Sequence, residues 1–134
     1  MAKKLVLPRV HVMVLCDDFE QPSDEEAVFH LYGVRTRLEV EAFPYTHAQL
    51  CVYLQLTGHP GRTNCPVVVV DPETEEGILP APPQLIQLTG PLDVVATVFV
   101  LEDCVFTAPG LYYVQAICDR KLVCERPLMV VRQE

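Results

Sequence analysis

Apolar and polar residues alternate along much of the chain with the two-residue period of a β-strand. In AQLCVYLQL (residues 48–56), every even-numbered position is apolar, and Gln49, Tyr53 and Gln55 occupy odd-numbered ones. LDVVATVFVL (92–101) shows a similar alternation, with small and branched side chains on both faces. This period predicts half-buried strands. Leu54, in the middle of the cleanest run, is expected to be fully buried, whereas Gln55 is expected to face outward.

Turn signals rich in proline and glycine separate these runs at short intervals. Twelve prolines and six glycines are spread along the chain and leave little room for a helix. The one capping pattern, Ser23 with Glu26, leads into β-rich sequence. Strands are predicted at 9–17, 27–39, 48–57, 66–71, 84–88, 93–101, 110–118 and 122–131. Strands at this spacing are typical of an all-β sandwich, so residues 1–134 are predicted to form a single antiparallel sandwich of about seven or eight strands.

The last two strands are predicted to form a hairpin that turns at residues 119–121. The first of them carries four inward-facing side chains: Tyr112, Val114, Ala116 and Cys118. Pro127 lies on the return strand and has no backbone N–H to donate. We therefore expect that strand to bulge at Pro127 or to lie at an edge there.

The six cysteines are predicted to be reduced and mostly buried. They are Cys16, Cys51, Cys65, Cys104, Cys118 and Cys124. Each lies within an apolar run, where cysteine behaves as a small hydrophobic residue. A Cys118–Cys124 bridge is disfavoured, because a two-residue loop places the two thiols on opposite faces and a three-residue loop places them too far apart.

The charge balance argues against two classes of partner. The chain has 10 basic and 18 acidic residues, giving a formal net charge of −8. Binding to nucleic acids and binding to anionic membrane surfaces both rely on clustered Lys and Arg. The segment after Lys3 and Lys4 is interrupted by Pro8 and Arg9, so it does not fit a signal peptide. We expect a cytoplasmic protein with neither a nucleic-acid nor a membrane partner.

Three segments together resemble a known family. They are VLCDDF near the start, LYGVRTRLEVEAFPYTHAQLCVYLQLTG in the middle, and FTAPGLYYVQAICDRKLVCERPLMVV at the end. The chain resembles a family of small, uncharacterised bacterial proteins, a domain of unknown function, and the resemblance implies an immunoglobulin-like β-sandwich. The closing hairpin of that family usually turns on Asp-Gly, whereas here Arg120 follows Asp119. The resemblance implies no activity, substrate or cofactor.

No motif indicates catalysis or metal binding. The four histidines are His11, His30, His47 and His59, and none lies in a nucleophile motif. The nearest potential zinc pairs, His59/Cys65 and Cys118/Cys124, each lack a matching second pair. Two acidic segments, 17–26 and 71–76, carry no calcium-loop pattern and are expected to be solvated. No cofactor, metal or catalytic residue is therefore assigned, and the chain is expected not to be an enzyme.

Several strand faces that a lone sandwich would expose to water are apolar. The candidate interface consists of Leu15, Tyr113, Ile117 and Met129. Contiguous exposed apolar surface usually marks an interface, so we expect a non-enzymatic interaction or accessory module whose protein partner is a second copy of itself. Two alternatives remain open. One is a ligand-binding or enzymatic site built from His47, His59 or the Asp17/Asp18 pair at one end of the sandwich, and the other is a structural subunit of a larger assembly.

Overall fold

The computed structural model describes residues 7–22, 24, 27–74, 77–80 and 85–134, with backbone only at 79 and 80, and this part of the chain forms strands without any helix. Its strands are β1 (Arg9–Glu20), β2 (His30–Val34), β3 (Arg37–Val40), β4 (Tyr45–Thr57), β5 (Gly61–Asn64), β6 (Val67–Val70), β7 (Gly77–Pro80), β8 (Leu85–Leu88), β9 (Val95–Phe106), β10 (Gly110–Cys118) and β11 (Lys121–Arg132). The all-β prediction is confirmed. The described residues contain eleven strands rather than seven or eight, and the Ser23/Glu26 capping pattern lies outside them.

The strands form two main sheets and one short pair. The first sheet has the order β2-β1-β4-β9, the second has the order β3-β11-β10-β6-β7, and β5 pairs with β8. All neighbours are antiparallel except β3 and β11, which run parallel with Leu38 opposite Val130. The prediction of a purely antiparallel sandwich is therefore wrong at this one pair.

The parallel pair arises because the chain changes sheets where one continuous strand, 27–39, was predicted. The Arg35 N–H donates to the Leu15 carbonyl of the first sheet at 2.8 Å. One residue later, the Thr36 carbonyl accepts from the Met129 N–H of the second sheet at 3.2 Å. The strand predicted there is consequently two strands, β2 and β3, with a crossover at residues 35–36.

Both main sheets contribute to one hydrophobic core. The even-numbered residues of β4 from Leu50 to Leu56 are buried, and Leu54 is completely so, as predicted. The second sheet contributes Tyr112, Val114 and Leu128. The ring of Tyr112 packs edge-on against Phe106 at 4.9 Å between centroids, and its hydroxyl donates to the Ala108 carbonyl at 2.6 Å. This hydrogen bond ties the start of β10 to the turn that precedes it.

The β10–β11 hairpin differs in detail from its prediction. Its loop has two residues, Asp119 and Arg120, rather than three, because Cys118 pairs directly with Lys121. Both loop residues have positive φ, 51° and 65°, as a type I′ turn requires. Pro127 lies on a part of β11 that β3 does not pair, since their ladder begins at Met129. The missing N–H of Pro127 therefore leaves no gap in that ladder.

The prediction that all six thiols are reduced is wrong, because Cys65 and Cys118 form a disulfide. β6 and β10 are antiparallel with Val67 opposite Ala116, so their continuation places Cys65 opposite Cys118. The two Cα atoms are 4.4 Å apart, a separation that a disulfide can span. Disulfides are rare in the reducing cytosol, so the prediction of six free thiols depended on a cytoplasmic location that was itself only an expectation. Cys124 is free, in agreement with the rejection of a Cys118–Cys124 bridge.

We predict four reactive thiols when the protein is unfolded without a reductant, and six after reduction. The bridge closes a loop with a sequence separation of 53, so its reduction should lower the free energy of unfolding by about 4 kcal/mol. Thiol titration in denaturant and urea titration with and without reductant measure these quantities. A Cys124→Ala variant is the control and should lose one thiol while keeping the bridge. Six reactive thiols in the unreduced, unfolded protein would contradict the assignment.

Candidate functional site

The outer face of the second sheet carries a row of apolar side chains across three strands. In β10 the buried side chains of Tyr112 and Val114 alternate with half-buried ones that point outward, among them Tyr113. Tyr113 lies opposite Val70 of β6 on one side and opposite Pro127 of β11 on the other. Directly opposed residues of neighbouring strands share a face. These side chains therefore form one row across the sheet.

A second apolar pair extends this row. Leu111 lies opposite Met129, and both are half-buried. We call Val70, Leu111, Tyr113, Pro127 and Met129 the outer patch. Two of the four residues proposed for the interface, Tyr113 and Met129, belong to it. The structure therefore brings these two together on one exposed sheet face.

Ile117 lies on the same strand but is separated from the outer patch. Between them, Gln115 donates a hydrogen bond to the Glu125 carboxylate at 3.0 Å. Tyr113 and Ile117 are four residues apart, which corresponds to roughly 14 Å along an extended strand. Ile117 is half-buried and borders this polar pair, so it is not contiguous with the patch.

The placement of Leu15 on an exposed face is wrong, because this residue is buried in the core at 3% exposure. A β-bulge between Val10 and Val12 shifts the alternation of β1. Val10 packs against the core, and beyond the bulge Met13 and Leu15 take the inner positions. Val14 is then directed away from the core, opposite Tyr53.

A polar cluster lies near the crossover from β2 to β3. Arg35 donates two hydrogen bonds to the Asp17 carboxylate, at 2.6 and 2.8 Å. This contact holds the pKa of Asp17 below its ordinary value. Gly33 has a φ of +67°, and a side chain there would collide with the Asp17 carboxylate. Glycine at this position therefore makes room for the ion pair.

His47 also lies in this cluster, opposite a part of β9 where the alternation of inward-facing and outward-facing side chains shifts. The inward-facing side chains of β9 shift from Leu101 to Cys104 across Asp103, which has a φ of +53°. His47 pairs with Cys104, and its ring is mostly buried. Its Nδ1 shares a 2.8 Å hydrogen bond with the Tyr45 hydroxyl. Its Nε2 lies 4.0 Å from Asp17 Oδ1 and has no hydrogen-bond partner.

Burial lowers the pKa of His47, and Arg35 contributes in the same direction, whereas Asp17 opposes them. The ring is therefore neutral at pH 7. The nearby thiols of Cys16 and Cys51 lie opposite each other on β1 and β4. Burial raises the pKa of both, that of Cys51 to about 11, so neither is an activated nucleophile.

The other histidines lie apart from this cluster. His59 lines a separate cavity of ≈ 160 Å³ together with Arg62 and Asp119. His11 bonds the Thr57 hydroxyl at 2.8 Å, and His30 is exposed opposite Glu20. Of the residues proposed for the loop-built site, Asp17 and His47 therefore lie close together, whereas His59 lies elsewhere. Within the described ranges, no three His, Cys, Asp or Glu side chains are grouped to hold a metal ion.

Sequence comparison places the chain in a family without an assigned role. Residues 11–131 match the model of a family of unknown function, DUF6941, so the chain belongs to that family. No curated protein matches the chain. Across the part of the chain that the structure describes, no helix has the length and apolar character needed to cross a membrane.

We predict that the stability of the protein falls as the pH is lowered below the unfolded-state pKa of His47, near 6.5. The folded-state pKa is lower, so the unfolded chain binds the proton more readily, and protonation favours unfolding in this window. His47→Gln should reduce the loss of stability between pH 7.5 and pH 5.5. His59→Gln is the matched control and should keep the wild-type dependence. Urea titrations at several pH values measure this, and identical pH profiles for wild type and His47→Gln would contradict it.

Proposed function

We propose that this protein is a non-enzymatic interaction module with an immunoglobulin-like β-sandwich fold that associates with a second copy of itself through the outer patch. Two features support the immunoglobulin-like assignment. The first sheet contains the neighbours β1, β4 and β9, and the second contains β11, β10 and β6, which matches two packed sheets with crossing connections. The Tyr112 hydroxyl also bonds a backbone carbonyl four residues upstream, as in the tyrosine corner of such domains.

The observation that carries the functional proposal is the apolar character of the outer patch. Its five side chains come from three adjacent strands, and all of them remain partly exposed. Aromatic residues and methionine are enriched at the cores of protein interfaces, while charged residues are depleted there. Tyr113 and Met129 fit this composition, and the Gln115–Glu125 pair provides a polar border.

The two-fold symmetry of a homodimer suits a patch of this kind. A symmetric dimer uses the same surface on both copies, so an apolar patch provides its own complement. A specific dimer should bury at least about 1,000 Å² in total, which requires contacts beyond the patch itself. Val68 and Val131 are half-buried residues beside it that can supply them.

A second candidate function is ligand binding near Asp17 and His47. The observation that favours it is the buried Nε2 of His47, which lacks a hydrogen-bond partner. Asp17, however, is already paired with Arg35, and the adjacent thiols are protonated at neutral pH. The cluster therefore supplies no nucleophile, and we place it second.

We expect sedimentation at low micromolar concentration to give twice the 15.0 kDa mass of the chain. Because the contact is apolar, raising the salt concentration should not dissociate the dimer. Met129→Glu and Tyr113→Glu should each produce a monomer, since each places an unpaired charge in the interface. Leu92→Glu is the matched control, because Leu92 is an almost fully exposed apolar residue outside the patch.

Circular dichroism should show that both patch variants remain folded, because their side chains lie outside the core. A wild-type monomer at both low and high salt would refute self-association. A dimer that persists in both patch variants would place the interface elsewhere. A mass well above that of a dimer would favour the larger assembly.

A further inference from the structure

A groove opens between the two sheets beside the crossover at residues 35–36. Its volume is ≈ 290 Å³, and it is lined by residues 13–15 of β1, residues 34–36, and Leu111, Arg126 and Pro127 of the β10–β11 hairpin. Met13 and Leu15 are almost completely buried and form its floor, whereas Val34 is 63% exposed at its rim. The lining is predominantly apolar, so it favours an apolar ligand body.

Two arginines, Arg35 and Arg126, line this apolar groove. Arg35 is committed to the Asp17 carboxylate through two hydrogen bonds. Arg126 makes only a 3.4 Å contact from its Nε to the Met13 carbonyl, and it has no acidic partner among the described residues. Among the residues that line the groove, Arg126 is therefore the one arginine that is not in a salt bridge. The terminal nitrogens of Arg126 are therefore free to bind an anion.

We propose that the groove binds a small amphipathic carboxylate, with its alkyl chain on the floor and its carboxylate on Arg126. The volume suits a single short chain, since it lies just below the usual range for ligand pockets. The planar guanidinium can bind a carboxylate through two parallel hydrogen bonds. The apolar lining and the free cation thus select opposite ends of the same molecule.

Titration with hexanoate, octanoate and decanoate, followed by calorimetry and by amide chemical shifts, tests this proposal. Affinity should rise roughly fourfold for each added CH₂ group until the groove is filled. Octan-1-ol should bind about tenfold more weakly than octanoate, because it lacks the charged partner of Arg126. Shift changes should centre on residues 13–15, 34–36 and 126.

Two variants separate the two halves of the site. Arg126→Gln should weaken octanoate about tenfold while leaving octan-1-ol unchanged. Val34→Trp should block both ligands by filling the rim of the groove. Tyr32→Trp is its matched control on the same strand, since Tyr32 is also exposed but does not line the groove.

The proposal is overturned if no carboxylate binds the wild type at millimolar concentration. It is also overturned if octanoate and octan-1-ol bind equally well, or if Arg126→Gln leaves octanoate binding intact. If no carboxylate binds and Val34→Trp abolishes self-association, the groove holds a second copy of the chain instead. Loss of the dimer in the patch variants has no bearing on these outcomes.

Discussion

The register of β10 is the constraint on which the rest of the structure depends. This strand lies in the middle of the second sheet, between β11 and β6. Successive side chains of a strand point to opposite faces, so a slip of one residue would exchange the buried set with the outer set. Two contacts near its ends oppose such a slip. The Tyr112 hydroxyl donates a hydrogen bond to the Ala108 carbonyl at the start of β10. The Cys65–Cys118 disulfide links the end of β10 to the segment that leads into β6.

Both proposed binding surfaces follow from that register. With Tyr112 and Val114 in the core, Leu111 and Tyr113 must face outward and align with Met129 and Pro127. Leu111 and Pro127 also line the groove beside the crossover. The outer patch and the groove therefore share an edge, although the first is apolar and the second is also lined by Arg126. A ligand in the groove would lie next to the second copy in a dimer.

The sequence carried enough information for the strands with regular alternation. The inner face of β4 and the buried position of Leu54 follow directly from a period of two. It carried too little for β5 and β7, because GRTN and GILP are short and lack an alternating pattern. Leu15 was assigned to the wrong face because β1 is apolar on both sides, and a bulge decides which side turns inward.

The remaining features depend on contacts between residues that are distant in the sequence. Asp17 and Arg35 meet only because β2 folds back on β1, and Cys65 meets Cys118 only through the β6–β10 ladder. The parallel pairing of β3 with β11 likewise depends on the crossover at residues 35–36. Periodicity describes one strand at a time, so it cannot specify which strands become neighbours.

The most direct test of the account is hydroxyl-radical footprinting of the wild-type protein over a range of protein concentrations. This method reports the solvent exposure of individual side chains by mass spectrometry. If the outer patch is the contact between copies, the modification rates of Met129 and Tyr113 fall as the dimer forms. The rate of Tyr32, exposed on the other sheet, stays constant. Equal rates for Met129 and Tyr113 in monomer and dimer would contradict the central claim.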